Sequence, residues 1–257
     1  MTDNEAEVLV DAADGILTIT INSPHARNAV TLAVARGIAK ALDRLEAEAD
    51  LRVGILTGQG EHFSSGMDLK GFLRGETPTL PDRGFGGLTL KPPAKPLIAA
   101  VEGYALAGGF ELVMACDLVV ASASATFGIP EVKRGLCAGG GGLLRLPRQL
   151  PSRIAMELAL TGGMLSVERA NAFGMVNRMV PVGQALPAAR QLAAEISANG
   201  PLAVAASKQV ITQSVDWSSD EQWRKQAAIT GPVLRSADAR EGAAAFADKR
   251  SPRWQGA

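Results

Sequence analysis

The chain has 257 residues, 47% hydrophobic and 20% charged, which is enough for a sizeable core in one large domain or in one domain plus an appendage. Lys plus Arg and Asp plus Glu each number 26, so the formal net charge is zero and the basic excess of a general nucleic-acid binder is absent, although a local basic site for a small phosphorylated ligand stays compatible. Two cysteines, Cys116 and Cys137, make neither a disulfide framework nor a metal-type cluster, and no charge-free apolar run of about 18 residues predicts a membrane span.

The opening MTDNEAEVLV is acidic and lacks the basic and apolar regions of a signal peptide; with the sparse cysteines it predicts a reduced, cytoplasmic setting. Val8–Val10 and Ile16–Ile21 are short β-type runs around Asp-Ala-Ala-Asp-Gly, a hairpin signal. A polar loop with Pro24 to Asn28 follows. Thr31 is placed to cap a helix reaching about Glu48, with apolar positions at Leu32, Ala35, Ile38, Leu42 and Leu45. Arg52–Thr57 reads as a strand, and Phe63–Leu69 as a turn into a short helix. Gly71–Pro93 shifts to Gly, Pro and Thr and reads as a mobile surface loop or lid.

Leu97–Val101 predicts a buried strand and Phe110–Ala115 the start of a helix, with Ala107-Gly108-Gly109 turning between them. The first amides of a helix have no internal partner and suit an anion. Glu111, three residues after Gly108, shares a face with it, so a donor for a developing oxyanion stands beside a carboxylate able to move a proton. Glu131, after Pro130, is a second carboxylate in an apolar, glycine-rich context. Taken alone, Glu111 also fits a residue complementing its helix dipole, and Glu131 a solvated turn residue or a partner of Lys133 or Arg134.

Gly139–Gly142 has the look of a phosphate cradle but lacks the Lys-Ser/Thr of a P-loop, so tight packing near the site is the reading. Helical patterns follow at Ser152–Leu160 and Ser166–Phe173, then a strand at Val176–Pro181. From Leu186 the chain is helical and alanine-rich, with breaks expected at Gly200-Pro201 and Gly231-Pro232. His25 and His62 read as surface loop residues and Cys116 as a buried small apolar residue.

FSSGMDL at 63–69, GYALAGGFEL at 103–112, FGIPEVKRGL at 127–136, LTGGMLSVERANAFGMVNRMV at 160–180 and EGAAAFADKRSPRW at 241–254 follow one another as in the crotonase, or enoyl-CoA hydratase/isomerase, superfamily. The chain resembles that family, and its enoyl-CoA hydratase branch, over nearly its whole length. The resemblance implies an α/β fold, a crotonase-like spiral of ββα units over 1–195. It also implies a C-terminal helical trimerisation region over 196–257, in a homotrimer or a hexamer built from two trimers. It implies hydration of a trans-2-enoyl-CoA with no metal and no cofactor beyond the CoA thioester of the substrate.

Residue by residue, the resemblance gives the oxyanion donors as the N–H groups of Met67 and Gly108, with Glu111 activating water and Glu131 delivering the α-proton. Arg27, Ser64, Ser65, Asp68 and Leu69 match adenine and pantetheine contacts, and Lys70, Phe246 and Lys249 match the nucleotide end, the last two reaching a neighbouring subunit's ligand. Met67 is bulkier than the common alanine, Cys137-Ala138 stands where Ile-Pro is frequent, and Gly71–Pro93 has no clear counterpart. Rival readings keep the site and change the reaction, to double-bond isomerisation or a carnitinyl-type dehydration, or drop catalysis for an acyl-CoA-binding scaffold.

Overall fold

A computed structural model describes residues 6–257; the first five residues of the acidic opening segment lie outside the described residues. Strands β1 (Val8–Ala13) and β2 (Ile16–Ile21) form the expected hairpin, with Ala13 opposite Ile16 and β1 running three residues further than its apolar run. Helix α1 (Leu32–Ala47) starts where the sequence placed it, the Thr31 hydroxyl accepting from the Val34 N–H at 3.1 Å.

The next segments repeat one pattern. Strand β3 (Val53–Gly58) is followed by Ser64 and by helix α2 (Leu69–Leu73). After a small hairpin of β4 (Thr79–Leu80) and β5 (Gly84–Phe85), strand β6 (Leu97–Val101) is followed by β7 (Tyr104–Leu106) and α3 (Gly108–Ala115). Strand β8 (Leu118–Ser122) is then followed by β9 (Thr126–Gly128) and a 3₁₀ turn at Pro130–Arg134. β3, β6 and β8 pair in parallel, β7 pairs in parallel with β9, and Ser64 bridges Ala105 of β7. Each repeat therefore adds one rung to each of two sheets, the expected ββα spiral.

Helices α4 (Gly142–Gln149) and α5 (Ser152–Thr161), strand β10 (Met164–Ser166), α6 (Val167–Ala172), β11 (Arg178–Val180) and α7 (Ala185–Ser197) complete the core. The main sheet runs β1-β2-β3-β6-β8-β11, parallel from β2 onward, and the small sheet runs β10-β9-β7. Both faces of the central strands β2, β3, β6 and β8 are covered, as parallel pairing requires, so these strands are mostly apolar, whereas the edge strands β1 and β11 bury no residue. Leu17, Ile19, Leu56, Leu97, Ala99 and Val119 face the core shared with α1 and α3. The alternate residues Ile16, Val53, Ile55, Ile98 and Val120 meet Ala185, Ala189 and Ala193 of α7.

Two expectations are corrected. The 71–93 segment is a surface loop only in part: residues 72–77 are exposed, but Phe85–Thr89 are buried and Phe85 and Leu88 join the core. Its glycines are what let it enter. Gly87 has φ +70°, and a Cβ there would lie 2.1 Å from the Ala35 carbonyl oxygen of α1. Gly87→Ala is therefore expected to cost about 2–4 kcal/mol, through overpacking against backbone and a strained φ, read as a drop in urea midpoint. The second correction concerns Gly231-Pro232, which does not break the chain. Helix α9 (Gln222–Leu234) runs through it, with Pro232 inside the helix two residues before its end and its carbonyl accepting from the capping Arg235 N–H.

Helix α8 (Pro201–Ser214) does begin at the Gly200-Pro201 break, with proline in its first turn. Helix α10 (Ala237–Ala247) leads to a tail folded back on the bundle, the Trp254 indole N–H donating to the Ala198 carbonyl at 2.8 Å. Asp238 accepts from the N–H groups of Gln255 and Gly256. Helix α9 buries no residue, and Trp223, Leu234 and Phe246 stand exposed. No described helix is long and apolar enough to cross a membrane.

Candidate active site

Successive turns of the spiral bring two free amides together. Gly108 is the first residue of α3, so its N–H has no helical acceptor. Ala107 before it holds φ 51°, ψ −128°, a conformation costly for any residue with a Cβ, and its N–H donates to the Gly128 carbonyl at 2.8 Å. One turn earlier, Val30 donates to Gly66 at 2.8 Å and accepts from Asp68 at 3.1 Å. The Met67 N–H between them donates to no described residue. Gly66, at φ +91°, lets the two loops touch: a Cβ there would lie 2.8 Å from the Ala107 Cβ and 2.9 Å from the Gly108 nitrogen. The edge of the Phe85 ring closes the other side of Gly108.

Glu111, in the first turn of α3, is buried. Its side chain reaches across to the glycine run, where Oε1 accepts from the Gly142 N–H at 2.8 Å. A Cβ at Gly140 would lie 2.7 Å from Oε2, and one at Gly142 2.9 Å from Oε1. Two of the four glycines, Gly140 and Gly142, are thus packed against a carboxylate. Burial pushes the Glu111 carboxyl above its ordinary range, while the Gly142 and Gly140 amides and the Arg145 charge pull it back.

Glu131 enters from the next turn, on the 3₁₀ segment after Pro130. Neither Lys133 nor Arg134 pairs with it; its Oε2 is buried and has no hydrogen-bond partner among the described residues. Desolvation pushes its carboxyl up to about 7, and the Glu111 charge adds to the rise. A carboxyl raised on folding binds its proton more tightly in the native state, so its contribution to stability is present at acid pH and is lost as pH rises from about 4.5 to about 7. Glu131→Gln removes this burden. The variant is expected to be more stable than the parent by about 1 kcal/mol at pH 8, with the difference vanishing near pH 4, in melts taken across that range.

Met67, Gly108, Glu111 and Glu131 line one cavity of about 1800 Å³. Arg27, Ser65, Asp68, Leu69 and Lys70 line it as well. Ser64 does not: it is buried beneath, its hydroxyl donating to the Asn28 carbonyl at 2.7 Å and accepting from the Gly66 N–H at 3.1 Å, so it shapes the loop. The Asp68 carboxylate caps α2 through the Lys70 and Gly71 amides. Phe246 and Lys249 are exposed on and just after α10 and take no part in lining the cavity. The His62 ring stacks on Tyr104 at 4.6 Å outside the site, and burial pushes the Cys116 thiol up, as suits a packing residue.

Sequence reasoning missed Phe85 and Arg145 as parts of the site, and placed Gly140 and Gly142 near it only as packing. The glycine run was the available signal for these two glycines. Arg145, half-buried on α4, donates to the Thr89 carbonyl and lines the cavity beside Glu111.

Such a site can polarise a carbonyl between two amides while two carboxyl groups, one pinned and one loose, handle a proton above it. Residues 11–257 match the family described as Enoyl-CoA hydratase/isomerase. The chain is 61% identical to an enoyl-CoA hydratase from Mycobacterium marinum of known crystal structure, with a TM-score of 0.97 over 98% of this chain and 100% of that one. A carnitinyl-CoA hydratase structure from Mycobacterium avium is 40% identical, with a TM-score of 0.79 over 99% and 100%. A carnitinyl-CoA dehydratase from Salmonella arizonae is 41% identical over 94% of this chain and 95% of that protein.

Proposed function

Because the chain belongs to the enoyl-CoA hydratase/isomerase family, we propose that it is a hydro-lyase adding water reversibly to a trans-2-enoyl-CoA to give a 3-hydroxyacyl-CoA. The observation that carries the reading is the opening of Glu111 and Glu131 into one cavity beside two unused backbone donors. The N–H groups of Met67 and Gly108 grip the thioester oxygen. Glu111, held by the Gly142 N–H, takes a proton from a water lying between the two acids. Hydroxide character adds to the β-carbon, the electron pair moves to the gripped oxygen, and Glu131 gives its proton to the α-carbon. The proton on Glu111 then passes to Glu131, which restores both acids to their starting states, so H and OH have been added and nothing else has changed.

The substrate brings CoA with it, and the chemistry asks for no metal or redox group. Arg27, Ser65, Asp68, Leu69 and Lys70 flank the adenine and pantetheine parts, with Ser64 supporting them. We assign 1–195 to the catalytic core and 196–257 to oligomerisation in a trimer or hexamer, which the exposed Trp223, Leu234 and Phe246 support. In such an assembly Phe246 and Lys249 meet a neighbour's nucleotide. A cytoplasmic setting fits this chemistry. The 41% identity to carnitinyl-CoA dehydratases supports a second reading, the same site run as a dehydratase. Following crotonyl-CoA hydration and enoyl-CoA isomerisation side by side tests the assignment. Hydration abolished by Glu111→Gln and Glu131→Gln supports it, and isomerisation without hydration overturns it.

A further inference from the structure

Positive charges gather around the glutamate pair. Lys133, Arg134 and Arg145 line the cavity, and none of the three is in an ion pair among the described residues. Arg145 acts on Glu111 and Arg134 on Glu131, from α4 and from the 3₁₀ turn. Arg148, one turn along α4 from Arg145, also lines the cavity and meets Asp216 at 3.4 Å.

Acidic counterparts are few. Besides the glutamate pair, the cavity is lined by Glu7 and Asp68 only, and both are engaged elsewhere. Glu7 accepts from the Thr31 hydroxyl, and Asp68 caps α2. A cationic acyl tail would need a carboxylate or an aromatic cage to replace its water. Here it would meet guanidinium and ammonium groups, while the nearest carboxylates are those that must stay free to move a proton.

We propose that this site selects uncharged acyl chains and rejects those carrying a fixed positive charge, so that its substrates are neutral enoyl-CoA thioesters and not quaternary-ammonium acyl-CoAs of the carnitinyl kind. The inference rests on the hydratase reading above and narrows it. Two thioesters of one shape separate charge from size: a crotonyl-CoA bearing a γ-trimethylammonio group, and its isostere with a tert-butyl group in that place. The neutral compound is expected to be hydrated with a kcat/KM at least about tenfold higher, the size of one repulsive contact near a protein surface.

Binding of the corresponding saturated thioesters, measured by calorimetry, should show the same preference without any turnover. Arg134→Glu, on an exposed residue, should shrink the ratio. Equal or better handling of the cation, or a ratio unmoved by Arg134→Glu, overturns the proposal. Loss of all hydration with the binding preference intact overturns the hydratase reading and leaves this one standing.

Discussion

Glu111→Gln is expected to lower kcat for hydration by about 10³-fold, within the range for a displaced general acid–base group, with KM little changed. Glutamine keeps the shape that fills the Gly140–Gly142 cradle and its amide oxygen still accepts from the Gly142 N–H; its NH2 cannot accept from the Gly140 N–H, a loss set against removal of the buried acid. What is lost is the base. Because a neutral amide replaces a buried acid, the melting temperature should hold or rise, separating chemistry from unfolding. Glu131→Gln should be comparably slow, and the double variant should fall little further, since the pair moves one proton between them. Initial rates on crotonyl-CoA for the four proteins close the cycle. Full additivity would show two acids working independently.

Gly108→Ala is expected to cost about 10²-fold in kcat by displacing one oxyanion donor. A Cβ at this position would lie 2.2 Å from Phe85 Cζ and 2.4 Å from Cε1. Either the ring leaves or the start of α3 shifts, and a shift turns the N–H away from the thioester. Adding Phe85→Leu makes room and should recover part of the rate. Steady-state rates of the single and double variants decide the matter. An unchanged Gly108→Ala enzyme would remove this amide from the mechanism.

Legibility in the sequence followed burial on two sides. The central strands are rich in β-branched and apolar residues, so Ile16–Ile21, where two threonines stand among isoleucine and leucine, and the wholly apolar Leu97–Val101 were readable to the residue. The three-residue strands β7, β9 and β10 carry no periodicity, being fixed by stacking of successive turns, and the sequence did not mark them as strands. Glu111 and Glu131 stood out because charge is costly where they lie. Their surroundings did not, since the donors holding Glu111 are backbone N–H groups, and a run of glycines does not announce whether it wraps a phosphate, a carboxylate or nothing.

The 71–93 segment misled for a related reason. Its buried residues Phe85 and Leu88 are scattered among glycines with neither helical nor strand spacing, and the glycines that suggested mobility serve close approach to α1 and α3. Gly231-Pro232 misled because the breaking power of proline depends on its place in the helix, which local sequence does not reveal.

The pocket is assembled from Met67, Phe85, Gly108, Glu111, Glu131 and Gly140, drawn from widely separated stretches of chain and meeting only where consecutive coils are stacked. No fragment that has lost a coil retains a working part of it. Catalysis should therefore vanish in step with the cooperative melt, and the turnover of a sample becomes a direct gauge of the fraction of molecules fully wound.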